Sequence, residues 1–121
     1  IALYTSSATL NSATTAYSTN PGGGGNTEVA NTGQYTAGGG LLANLGTSLT
    51  AGVARVDFSD RSFTGVTLTA RGALIYNTSS ATTNAAVCVL DFGADKTATS
   101  GVFTIQFPAA TSTAAILRIS G

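Results

Sequence analysis

Two carboxylates stand closest to a chemical constellation in this sequence. Asp91 and Asp95 flank Phe92-Gly93-Ala94, a spacing at which a pair of acids serves as a glycosidase couple or ligates Ca²⁺. A simpler reading uses the same residues as a turn: the two Asp side chains hydrogen-bond local backbone, Gly93 takes the left-handed position, and Lys96 lies nearby. Cys88 is the single cysteine, so no disulfide forms within the chain, and its setting Val87-Cys88-Val89-Leu90 is that of a small buried hydrophobe. The sequence has no His, which removes the usual general base, the catalytic triad and most transition-metal sites. One Cys and no His cannot assemble a zinc site. The run Gly22 to Gly25 invites comparison with a phosphate-cradling loop, but Asn26-Thr27-Glu28 follows it where a Lys-Ser/Thr pair opening a helix is required. The residues therefore imply no enzyme, no cofactor and no metal, and leave shape and association as the source of function.

Composition sharpens that expectation. The 121 residues carry five basic and five acidic side chains, and charged residues make up 8% of the chain against about 25% in an ordinary soluble domain. No stripe of Lys or Arg is available to track a phosphate backbone, so nucleic acid is not an expected partner. No run of about 20 apolar residues is present for a membrane helix, and no charged-then-apolar signal segment opens the chain. A surface so poor in charge is weakly protected against association. At this length a lone core is modest, which points to oligomers.

The elements that must position any site read as strands. Ile1 to Tyr4 is a short apolar run. Ala8 to Tyr17 is an extended surface segment, and Asn20 to Asn26 is a flexible glycine-rich loop. Tyr35, beside glycines, suits an aromatic packed over bare backbone with its hydroxyl at the rim. Leu41, Leu42 and Leu45 read as a strand because Gly40 and Gly46 bracket them closely. Val53 to Phe58 alternates, with Ala54, Val56 and Phe58 on a buried face and Arg55 and Asp57 outside. In Phe63 to Tyr76, Val66, Leu68 and Ala70 share one face against Thr67, Thr69 and Arg71; Gly65 and Gly72 break the run, Gly72 as a bulge. Val87 to Phe92 is apolar on both faces and so expected between layers. Phe103, Ile105 and Phe107 share a face before Pro108 stops the strand, and Ala115 to Ile119 is the last. The predicted fold is all-β: residues 1–121 as a single antiparallel sandwich or barrel-like domain of about seven to nine short strands. The numbered chain, which opens directly on a strand, is expected to begin partway into a natural product whose first segment is missing.

The wording of the sequence adds a resemblance. Ile-Ala-Leu-Tyr-Thr-Ser-Ser-Ala-Thr-Leu-Asn (1–11), Tyr-Thr-Ala-Gly-Gly (35–39), Thr-Ala-Arg-Gly-Ala-Leu-Ile-Tyr-Asn (69–77), Val-Leu-Asp-Phe-Gly-Ala-Asp-Lys (89–96) and Phe-Thr-Ile-Gln-Phe-Pro (103–108) resemble, in order, a family of small virion proteins encoded beside the head genes of tailed bacteriophages. The Gly22 to Gly25 run departs from that family, in which a short turn precedes the Glu28 region. The resemblance implies a structural particle component made in the bacterial host cytoplasm. The capsid surface is the expected place, with a cement or decoration role on the major capsid protein and self-association, a trimer being favoured at a local three-fold. Expected contacts lie in Ile1 to Asn26, with Tyr4, Tyr17, Tyr35, Arg71 and Arg118 as anchors. A tail or fibre module binding a receptor or carbohydrate, for which Tyr17 and Tyr35 would share an open face, and a head-to-tail connector subunit are the alternatives.

Overall fold

Ile1-Ala2-Leu3-Tyr4 is apolar on both sides of its pleat, and such a strand needs cover on both faces. It obtains it: all four residues are buried. The computed structural model describes residues 1–120, and among these there is no helix, hence none long and apolar enough to cross a membrane. Six strands follow in order: β1 (Ala2–Tyr4), β2 (Asn44–Thr50), β3 (Val53–Phe58), β4 (Arg61–Asn77), β5 (Ala85–Ile105) and β6 (Leu117–Ser120). They form two three-stranded sheets, β1-β4-β5 and β2-β3-β6. The all-β expectation holds, while the seven to nine strands reduce to six because runs that sequence punctuation separates are continuous. Gly65 and Gly72 do not interrupt β4, and Ala85 to Ile105 is assigned as a single strand.

The chain path divides into two compact units. Unit 1 comprises Ile1–Gly40 and Phe63–Phe103; unit 2 comprises Leu41–Ser62 and the segment from Thr104 onward. In unit 1, β1 pairs antiparallel with β4, with Ala2 opposite Leu74 and Tyr4 opposite Gly72. Gly72 closes the β1–β4 register, and a Cβ at that position would meet the Leu90 carbonyl oxygen of β5 at 2.6 Å. The outer side of β1 is covered too. Val29 donates its N–H to the Leu3 carbonyl (2.9 Å), and Ile1 and Gly40 exchange backbone hydrogen bonds (2.7 and 3.0 Å). Gly39 must be glycine: its φ is +79° and a Cβ there would run into the Ile1 carbonyl.

The alternation read in β4 is present: Phe63, Val66, Leu68 and Ala70 are buried while Thr64, Thr67 and Thr69 are exposed. Side-chain contacts Ser62–Thr104 (2.8 Å) and Thr69–Thr97 (2.9 Å) descend on β5 as they rise on β4, the signature of an antiparallel pair. β5 itself is not straight. Phe92 and Phe103 bring their ring centroids to 6.2 Å, whereas a strand rising roughly 3.3 Å per residue would hold them more than ~30 Å apart. Two of its residues are left-handed, Gly93 (φ +76°) and Ser100 (φ +46°).

Unit 2 is a hairpin with an added strand. Thr50 pairs with Val53, and the two residues between them, Ala51 (φ +50°) and Gly52 (φ +77°), are both left-handed, as a two-residue type I′ turn requires. β6 pairs antiparallel with the other side of β3. Leu41 to Ala43 lie outside any strand, so the expected strand at Leu41 to Leu45 begins only at Asn44.

Candidate functional site

Glu28 is the only Glu in the sequence, and it is 4% exposed. A buried carboxylate needs donors, and three converge on it within unit 1. The Tyr35 hydroxyl donates to Oε1 at 2.8 Å, the Gly38 N–H to the same oxygen at 2.6 Å, and the Tyr17 hydroxyl to Oε2 at 2.7 Å. The Tyr35 oxygen also accepts the Leu3 N–H of β1 at 2.8 Å, so one phenol links the carboxylate to the sheet edge. Tyr76 on β4 stacks on Tyr17 (centroids 4.7 Å apart, planes at 21°) and donates to the Gly38 carbonyl at 2.6 Å. Tyr4 donates to the Ser18 carbonyl at 2.7 Å. All four tyrosines of the chain thus belong to the surroundings of one carboxylate.

Burial raises the pKa of Tyr4, Tyr17, Tyr35 and Tyr76 above the ordinary phenol value of 10.0, and the Glu28 charge pushes each further in the same direction. The phenols are held as neutral donors. This cluster cross-links residues 1–4, 17–18, 28–38 and 76 of unit 1.

The residues expected at partner contacts separate into two groups. Tyr4 and Tyr35 lie in the core, and the Tyr35 hydroxyl expected at the rim is buried on Glu28. Tyr17 does meet Tyr35 across the Glu28 carboxylate, but inside the unit and not on an open face. Arg71 keeps 43% of its side chain exposed while its Nε contacts Asp91 Oδ1 at 3.3 Å. Arg118 is exposed and donates from Nη1 to the Ser112 carbonyl at 3.0 Å. The Asp91 half of the turn read in the sequence is present: Asp91 Oδ1 accepts the Gly93 N–H at 2.8 Å with Gly93 left-handed. That hydrogen bond, and then the one from Arg71, lower the Asp91 pKa. Among the described residues no three His, Cys, Asp or Glu side chains gather around a space for a metal ion. Cys88 is half-buried, and burial pushes its thiol upward. A cleft of about 310 Å³ lies beside Tyr4, Leu10, Val89 and the Arg71–Asp91 pair.

Unit 2 presents the opposite character. Register places Leu49, Ala54 and Ile119 side by side across β2, β3 and β6, with Thr47, Val56 and Leu117 as the next row on that face. Leu49 is 72% and Ile119 78% exposed, and Leu45, within the register shift of β2, is 62% exposed. Ala54, expected inside, is exposed, whereas Val56 and Phe58, expected inside, and Arg55 and Asp57, expected outside, are all half-buried. The Nε and Nη1 atoms of Arg55 are buried without a partner, Nη2 donates to Thr50 Oγ1 at 3.0 Å, and Arg118 stands directly opposite across the β3–β6 pair. Sequence reasoning missed this face because alternation identifies two sides of a strand without saying which one is covered. It also missed the Glu28 hub; the single Glu beside Tyr35 and a glycine triplet was the available signal.

What these features define is an all-β chain of two small antiparallel sheets, one in a unit that surrounds a buried carboxylate with three donors and one with exposed apolar side chains on a single face. In comparisons with protein-family models, curated proteins and solved structures, no match was found.

Proposed function

We propose that the chain is a non-enzymatic structural protein of a virion, a cement or decoration protein that self-associates and binds the major capsid lattice, stabilising the head from its outer surface. The observation that carries the reading is the open apolar row of Leu49, Ala54 and Ile119 on a chain whose charged residues amount to 8%. Scattered exposed apolar residues need no explanation, but a contiguous set along a sheet marks an interaction surface. The ordered resemblance of five segments to small phage virion proteins supplies the kind of partner. A repeated lattice suits such a surface, because many weak identical contacts add to firm attachment. Arg71 in unit 1 and Arg118 in unit 2 each keep an exposed side chain available for polar contacts.

Counting the chain in purified particles tests the reading. On the order of hundreds of copies per particle, in fixed ratio to the major capsid protein, is the expected result; about a dozen or fewer would indicate a connector or tail subunit. Absence from particles would overturn the reading altogether.

A further inference from the structure

A sheet edge is a row of unpaired N–H and C=O groups, and natural sheets guard theirs with Lys, Pro, bulges or short strands. In the β2-β3-β6 sheet the two edges differ. β6 spans four residues and carries Arg118 at its centre. β2 spans seven residues, Asn-Leu-Gly-Thr-Ser-Leu-Thr, all exposed, with no charge and no proline. Its one guard is the register shift between Asn44 and Gly46, which leaves Gly46 to Thr50 regularly paired to β3 on the inner side. Among the described residues no strand lies beyond it.

We propose that β2 is a self-association edge, joined antiparallel to β2 of a second copy about a two-fold axis at Ser48. Charge selects this edge. A two-fold join through β6 centred on Arg118 would bring Arg118 against its own copy while each already faces Arg55 across the β3–β6 pair, and like charges directly opposite are destabilising; one centred on Ile119 would pair only Arg118 to Ser120, a shorter join than Gly46 to Thr50 of β2 allows. The uncharged β2 meets itself without that penalty. Direction selects the symmetry. β2 and β6 both run antiparallel to β3, so pairing β2 of one copy with β6 of the next by simple repetition is parallel, less stable per residue and open to unlimited growth. The two-fold join is antiparallel and closed. With Ser48 opposite its own copy, Thr47 stands opposite Leu49 of the second copy, and side chains of the apolar face stay on one side of a continuous six-stranded sheet. The two-fold replaces the three-fold expected from capsid symmetry.

An edge contact of this length is narrower than the ~800 Å² per partner of a standard interface, so the dimer is expected to depend on concentration in solution. Cross-linking captures such a contact. Directly opposed residues have Cα atoms about 4.5–5.5 Å apart, within disulfide range. In the full purified chain carrying Cys88→Ala, Ser48→Cys is expected to form disulfide dimers about tenfold faster than Arg118→Cys, which sits on the other exposed edge. Equal rates overturn the join, as does a trimer that leaves Ser48→Cys unlinked. Charge exchange gives an independent readout: Ser48→Lys and Ser48→Glu should each sediment as monomers, Ser48→Lys with a lower unfolding midpoint because position 48 stands opposite Arg55, and an equimolar mixture should restore the dimer. Persistence of the Ser48→Lys dimer overturns the join. The join deepens the self-association in the proposed function and rests on it. Because the measurement uses no particle, its failure leaves lattice binding standing, and absence of the chain from particles would remove lattice binding without touching the cross-link.

Discussion

Units 1 and 2 solve the same problem, a low-charge sequence folded only into strands, in opposite ways. Unit 1 buries its one Glu and gives it three donors, covers both faces of β1, and turns all four phenols inward. Unit 2 leaves β2 exposed along its whole length and shows Leu49 and Ile119 to solvent. The contrast separates what holds this chain together from what it offers to other molecules. A buried polar network specifies one arrangement because any partial version of it is costly. An open apolar face contributes little to the stability of its own unit and gains only when something covers it.

The largest expected effect comes from breaking the network. Glu28→Ala leaves two phenols and the Gly38 N–H without their acceptor, and each buried unsatisfied group costs about 1–3 kcal/mol, so a loss of roughly 3 kcal/mol or more is expected in urea unfolding. Glu28→Gln keeps one acceptor oxygen and turns an amide donor towards a hydroxyl; the loss should be smaller but clear. Tyr35→Phe removes the oxygen shared by Leu3 and Glu28 and is expected to cost about 1–3 kcal/mol. By contrast, Leu49→Thr should change stability by less than ~0.5 kcal/mol, since Leu49 touches little in its own unit. A Leu49→Thr loss as large as that of Tyr35→Phe would erase the distinction between the two regions.

Alkaline titration probes the same network without mutation. The folded-state pKa of each tyrosine lies above the unfolded value of about 10, so neutral phenols contribute fully below that pH. Their contribution declines as the pH rises above about 10 towards the folded values. Phenolate absorbance should stay low through pH 10 and then rise together with loss of β-sheet circular dichroism. Free titration of the phenols near pH 10 with the fold intact would contradict the buried arrangement.

The parts of this structure legible in the sequence are those fixed by neighbours along the chain. Alternation in Val66, Leu68 and Ala70, the apolar opening at Ile1 to Tyr4, and the Asp91-to-Gly93 turn all depend on residues within a few positions. The Glu28 hub joins residues from Leu3 to Tyr76, and no periodicity carries such long separations. Burial at Arg55 and exposure at Ala54 depend on which side of the sheet acquires cover, a tertiary fact. The Leu41 to Leu45 run has apolar residues at strand spacing, yet the strand begins only at Asn44, where pairing with Phe58 becomes available.

The hairpin of unit 2 yields the smallest effect and the finest test. Its turn was not legible because the usual signal is Asn-Gly or Asp-Gly, and this sequence places Ala51 before Gly52. An L-residue with a Cβ is strained at φ +50°, whereas Asn tolerates that region through its short polar side chain. Ala51→Asn should therefore relieve strain and stabilise unit 2 by about 0.5–1 kcal/mol. If the two units unfold in separate transitions, Ala51→Asn raises one and Glu28→Gln lowers the other; if they unfold together, both act on a single midpoint with opposite signs. Destabilisation by Ala51→Asn would mean that the turn is not type I′, and the register of β2 on β3, with the apolar row built from it, would fall with that assignment.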